Sequence, residues 1–189
     1  YTLVPDSNHK LSTAASGSFT VTIAQAEPVC AVPTGLTAVY GQLLSTVSLS
    51  NPTGNTAGRW TWNAAEGQLV GAKGTQTFQA TFTPDSSNYK TVTKNVTLTV
   101  TAKPISTPTL EISGSYTYNG QQIKPTPTVK AGELTLTEGT DYVLTYGENI
   151  NAGNGSVTIT ANPESNYSFD KGVTNFPILQ RKVKISGIQ

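Results

Sequence analysis

The sequence predicts an all-β chain of small sandwich repeats strung end to end in an elongated arrangement, and three observations carry that prediction. One loop is written three times, as "PDSNH" (Pro5–His9), "PDSSNY" (Pro84–Tyr89) and "PESNY" (Pro163–Tyr167), with its prolines 79 residues apart each time. Between these loops apolar residues alternate with polar ones at period two, the mark of strands with one face on a core and one in water. The 189 residues are rich in Thr, Val, Asn and Tyr, include 17 Gly and contain no Met, a mixture that favours strands joined by tight turns.

Residues 1–23 supply the last strands of a first repeat, ending in "FTVTI" at Ile23. A lone hairpin is unstable in water, so this piece is expected to pair with the second repeat or with another chain's tail. Residues 24–32, "AQAEPVCAV", read as a linker. Cys30 is the only cysteine, which excludes an internal disulfide and leaves an incidental small residue or a reactive or intermolecular thiol.

The second repeat spans 33–102. Phe78, Ala80 and Phe82 face one way and Thr77, Gln79 and Thr81 the other, and Val96, Leu98 and Val100 repeat the pattern. The third repeat spans 103–179, with alternation at Tyr142, Leu144 and Tyr146 and at Val157 and Ile159. The two align beyond the loop: "VYGQ" at Val39 matches "YNGQ" at Tyr118, and Gly74 falls on Gly153. Residues 180–189 place Val183, Ile185 and Ile188 in imperfect alternation, the start of a further repeat or a tail. No stretch of 11 residues carries helical apolar spacing free of Gly and Pro. A unit of this size buries about 60–65% of its unfolded surface, enough to fold without metal or disulfide.

The thrice-written loop reads as a structural corner. Proline ends a ladder because it has no N–H to give, Asp and Ser accept local backbone bonds, and Asn tolerates left-handed turns. The residues of this corner are Pro5, His9, Pro84, Tyr89, Pro163 and Tyr167, and its terminal aromatic is expected to cap the core.

Lys and Arg number 12 against 11 Asp and Glu, for a net charge of +1. No basic stripe is present, so nucleic acid is not an expected partner. No apolar run approaches the length of a membrane span and no charged n-region precedes one, so neither a span nor a signal peptide is expected in this piece. A start at Tyr1 points to an excised or processed segment.

The third repeat resembles the tandem Ig-like repeats of bacterial cell-surface and adhesion proteins, the MBG-type and related modules. The resemblance rests on "YNGQQIKPTPTVK" (Tyr118–Lys130), "LTEGTDYVLTYGENINAGNGSVTIT" (Leu136–Thr160) and "NY" (Asn166–Tyr167). The second repeat resembles a sister class through "VYGQLLSTVSLS" (Val39–Ser50), "WTW" (Trp60–Trp62) and "GTQTFQATFTPDSSNY" (Gly74–Tyr89). Together they cover most of residues 33–179. The resemblance implies immunoglobulin-like sandwiches in a secreted or surface protein, acting as stalk or adhesive segment.

Candidate chemistry is sparse. Nucleophilic catalysis needs a base beside the nucleophile, and the only His, His9, stands where Tyr89 and Tyr167 stand in the other copies. No enzymatic activity, cofactor or metal is expected. Glu133, Glu138, Asp141 and Glu148 lie beside glycines and read as solvated turns rather than a glycosidase pair. "GENINAGNG" and "PDSSN" offer oxygen ligands without the spacing of a committed calcium loop. A Lys–Asn isopeptide would need an inward Lys, whereas Lys94, Lys124 and Lys130 read as outward. Three sequons, at Asn95, Asn154 and Asn166, are assigned no role. The best candidate ligand site is Trp60 and Trp62, which share a strand face and form either core or a platform for a sugar ring, with Arg59 beside them. The expected function is a non-enzymatic spacer whose partners are neighbouring repeats, with host glycan or surface protein binding through the tryptophans as the alternative.

Overall fold

A computed structural model describes residues 7–8 and 21–184. The first corner, with Pro5 and His9, nearly all of the partial first repeat, and the tail residues Ile185 and Ile188 lie outside the described residues.

The chain is nearly all β. Its first sheet contains β1 (Leu36–Val39), β2 (Gly58–Trp62), β3 (Gly74–Pro84) and β4 (Val92–Thr101), in the order β1-β4-β3-β2. Among the described residues the helical content is a single 3-10 turn, Leu44–Thr46. β3 pairs antiparallel with β2 and β4, while β1 runs parallel to β4, with Leu36 opposite Leu98. The alternation read from the sequence sets the faces: Ala80, Phe82, Val96, Leu98 and Val100 are buried, and Thr77 and Gln79 are exposed. Leu44, Val47 and Val70 cover one half of this face, and Cys30 packs with Trp60 of β2 on the other, with Leu36 and Trp62 packed against both halves.

Two short strands follow, β5 (Lys103–Pro104) and β6 (Thr109–Glu111), then β7 (Tyr116–Thr117), β8 (Thr128–Ala131), β9 (Leu134–Thr135), β10 (Tyr142–Tyr146), β11 (Gly153–Ala161), β12 (Tyr167–Ser168) and β13 (Gly172–Leu179). A four-stranded sheet, β10-β11-β13-β7, faces a three-stranded sheet, β6-β8-β9. Leu110 and Val129 come from the smaller sheet and Tyr142, Val157, Ile159, Phe176 and Ile178 from the larger; all seven enter one core with Ile123 and Leu136. This layer-on-layer burial is sandwich-like. The two four-stranded sheets share one order. In each, the closing strand has a parallel edge partner on one side (β1 or β7) and an antiparallel long strand on the other (β3 or β11). Gly74 lies opposite Val100, and Gly153 opposite Ile178.

The segment expected as a linker, 24–32, is woven into the first sheet's body. Val29 N–H donates to Thr56 Oγ1 at 3.0 Å, and Thr56 N–H returns a bond to Val29 O at 2.8 Å. Asn55 grips Ala31 from both sides, at 2.8 and 2.9 Å. Cys30 is buried beside Trp60 and Phe82. Its carbonyl accepts from Lys94 Nζ at 2.7 Å.

Glycine is required where a ring covers the strand. A Cβ on buried Gly155 would lie 2.5 Å from the Phe176 ring, and one on Gly58 would lie 2.7 Å from Phe82. Neither ring has room to retreat in a packed core. Gly155→Ala is therefore expected to destabilise the body built on β10-β11-β13-β7 by about 1–3 kcal/mol through overpacking, measurable by thermal or urea unfolding against the parent chain.

Candidate functional site

The corners are built as turns, with one difference from the sequence reading. Pro84 ends β3, and Pro163 follows β11 after one intervening residue. Ser86 Oγ accepts Asn88 N–H at 3.2 Å, and Ser165 Oγ accepts Tyr167 N–H at 3.0 Å. Ser165 is buried and donates to Asp141 Oδ1 at 3.2 Å, while Asp141 Oδ2 accepts Thr137 N–H at 2.9 Å. No described residue other than glycine has positive φ, so Asn88 and Asn166 do not serve as left-handed turn residues. Both backbone carbonyls, and the side-chain oxygen of Asn166, accept bonds from other segments instead. Asn166 Oδ1 accepts Lys73 N–H at 2.8 Å, and Asn166 O accepts Lys103 N–H at 2.8 Å. Tyr167 is half-buried against the core between the two facing sheets and meets Tyr40 edge-on at 5.5 Å. Tyr89 is half-buried.

Trp60 and Trp62 do share a face, and it is the inner one. Trp60 is buried and packs on Phe82 with ring centres 5.3 Å apart. Its indole N–H is buried with no hydrogen-bond partner among the described residues. Trp62 is half-buried, donates through Nε1 to Val47 O at 2.8 Å, and meets Phe78 edge-on at 6.2 Å. Arg59 is exposed on the opposite face, so it does not join the indoles. Both indoles border an open depression of about 360 Å³ lined also by Ser45, Ser48, Leu49 and Ala64. Trp60 is nevertheless buried and Trp62 half-buried, so the spacing does not present two exposed rings.

The remaining polar candidates divide between structural bonds and exposed positions. Asp141 is tied into the corner, whereas Glu133, Glu138 and Glu148 are exposed. Lys94 is bonded to Cys30 O, and Lys124 Nζ sits 5.9 Å from the centre of the Tyr146 ring. No group of three or more His, Cys, Asp or Glu able to hold a metal occurs among the described residues, and no helix there is long and apolar enough to cross a membrane.

Asn149 escaped the sequence reading. It is buried, donates through Nδ2 to Ile123 O at 3.1 Å and Ser156 O at 3.0 Å, and accepts Ser156 N–H at 2.8 Å. It stands 79 positions after Val70, which is fully buried. A polar residue aligned with an apolar core position was the available signal.

Three phenols are held above their ordinary range. Tyr142 and Tyr146 are raised first by burial and then by the nearby Glu138. Tyr167 is raised by burial, then by Tyr40 and Asp141. A raised phenol pKa means that the unfolded chain ionises first. The stability is fully present below the unfolded value, about pH 10, and falls as pH climbs past it. Thermal midpoints are expected to hold steady to about pH 9 and then drop, with a shallower drop for Tyr142→Phe.

The tryptophans give a second expectation. Trp60→Ala should cost about 3–5 kcal/mol. Trp60→Phe trades lost volume against removal of an unpaired buried donor worth about 1–3 kcal/mol, and should change stability much less. Urea unfolding followed by the fluorescence of Trp62 checks both.

No protein-family model, curated protein or solved structure matches this chain.

Proposed function

We propose that the chain is a non-enzymatic segment of tandem Ig-like modules from a secreted or cell-surface bacterial protein, serving as stalk or spacer in an adhesin-like molecule. The observation that carries this reading is the shared order of the two four-stranded sheets, with their closing strands in the same register against Gly74 and Gly153. One fold written twice along a chain, with each unit touching its neighbour, produces length. The placement on a bacterial surface rests on the resemblance of Tyr118–Tyr167 to modules of such proteins. Two residues that looked chemical, Asp141 and Trp60, support the same reading because each is committed to holding the fold.

The second reading, recognition of a glycan or host protein, is favoured by the hollow beside Trp62. An aromatic edge flanked by serine hydroxyls suits a sugar ring. Binding of the purified chain to arrays of glycans and host-matrix proteins separates the two. The spacer reading expects no selective signal. A selective signal that disappears in a folded Ser45→Ala/Ser48→Ala variant would move the function to this hollow.

A further inference from the structure

We propose that the Ser-Asn-Tyr corner of the third repeat is a latch for the end of the preceding module, fixing how one unit sits on the next; this rests on the tandem-module reading. Two bond sets meet at the corner. On the near side it holds the segment that enters its own module. β12 pairs parallel with β5, Lys103 N–H donates to Asn166 O at 2.8 Å, and Ile105 N–H donates to Ser168 O at 2.9 Å. On the far side it grips the second repeat. Asn166 Oδ1 accepts Lys73 N–H, Pro163 O accepts from Lys73 Nζ, and the Tyr167 ring meets Tyr40 at 86°.

The near side recurs one module earlier. Ala26 bridges Tyr89 in parallel, Ala26 N–H donates to Asn88 O at 2.8 Å, and Lys90 N–H donates to Ala26 O at 3.0 Å. Gln25 Nε2 reaches Ser87 O at 2.8 Å, and a Lys90–Glu27 ion pair of 2.7 Å lies beside it. The surface that the corner grips recurs one module later. Tyr40 N–H donates to Thr101 O and Tyr118 N–H to Leu179 O, both at 2.9 Å. Gly41 and Gly120 follow them with φ of 84° and 77°. Lys73 and Ala152 each stand just before a glycine opening a long strand, Gly74 and Gly153. The chemistry of the partner is therefore specific: a tyrosine held by the closing strand, and a turn amide awaiting an acceptor. A corner lacking either its Asn side chain or its aromatic would satisfy only half of it.

The latch predicts energetic coupling between modules, which a corner serving only its own fold does not. Both tryptophans lie in the second repeat, so their fluorescence reports that repeat alone. In the full chain, Asn166→Ala is expected to lower the urea midpoint of the tryptophan transition, equivalent to a roughly two- to tenfold change in its folding equilibrium. Coupling is reciprocal, so Tyr40→Ala should speed amide exchange in β11 and β13 of the third repeat. An unchanged tryptophan midpoint in Asn166→Ala, together with unchanged exchange in Tyr40→Ala, would overturn the latch. Where Asn166→Ala disrupts the third repeat outright, the Tyr40→Ala exchange decides alone, since that change lies in the other module. A selective ligand found on the arrays would count against the stalk reading and leave this coupling result as it stands.

Discussion

Each four-stranded sheet of this chain has its closing strand in the interior. β4 bonds to β3 on one side and to β1 on the other, and β13 lies likewise between β11 and β7. The closing strand therefore completes each four-stranded sheet from the middle, and the parallel edge strand, β1 or β7, has no ladder in that sheet until the closing strand is in place. Much else depends on that constraint. Alternating apolar residues have to be matched on β3 and β4 over a long register, Gly74–Phe82 against Val100–Val92. The chain also needs a tight return before the closing strand, and the proline-led corner lies at that point. The interval of 79 residues is the length of chain between successive returns of this kind.

Polar side chains are used sparingly inside this frame, and each has a job that apolar packing cannot perform. Asn149 binds the loop after β10 to β11 and to the backbone at Ile123 with its whole amide group. Leaving such groups unpaired in a core is expensive. Asp141 and Ser165 form a comparable tie between the turn before β10 and the corner. Trp60 is the exception: its N–H is buried without a partner among the described residues. Its ring contact with Phe82 and its place beneath Cys30 supply the compensating packing.

The strands were the legible part of the fold. Period-two alternation at Phe78–Phe82, Val96–Val100 and Val157–Ile159 names both the strands and their inner faces, because one face of each is almost wholly Thr, Gln or Asn. The candidate site was legible only to the point that Trp60 and Trp62 share a face. Which face turned inward depended on β2 pairing with β3 so that Trp60 stands opposite Phe82, a non-local fact that spacing does not contain. The segment 24–32 misled through its composition, which suggests a loop. Pro28 and Cys30 are buried, as is Pro33 just after them, so what resembled a linker packs as part of the body. The outward use of Asn166 was hidden because a turn composition describes how a loop closes on itself and says nothing of what it touches.

The parallel pairing of the first and last strands has a mechanical meaning. In the first sheet β1 and the closing strand β4 point the same way and share the register Leu36–Val39 against Leu98–Thr101. Tension along the chain draws β1 back toward its start and β4 on toward its end, so the pair slides lengthwise. Its hydrogen bonds are then loaded together, in shear, instead of parting one after another like a zip. In the sheet β10-β11-β13-β7 the corresponding parallel pair spans only Tyr116–Thr117 against Ile178–Leu179. Load entering either body from its N-terminal side meets short attachments before this clamp, Ala26 on Tyr89 in one and β5 on β12 in the other.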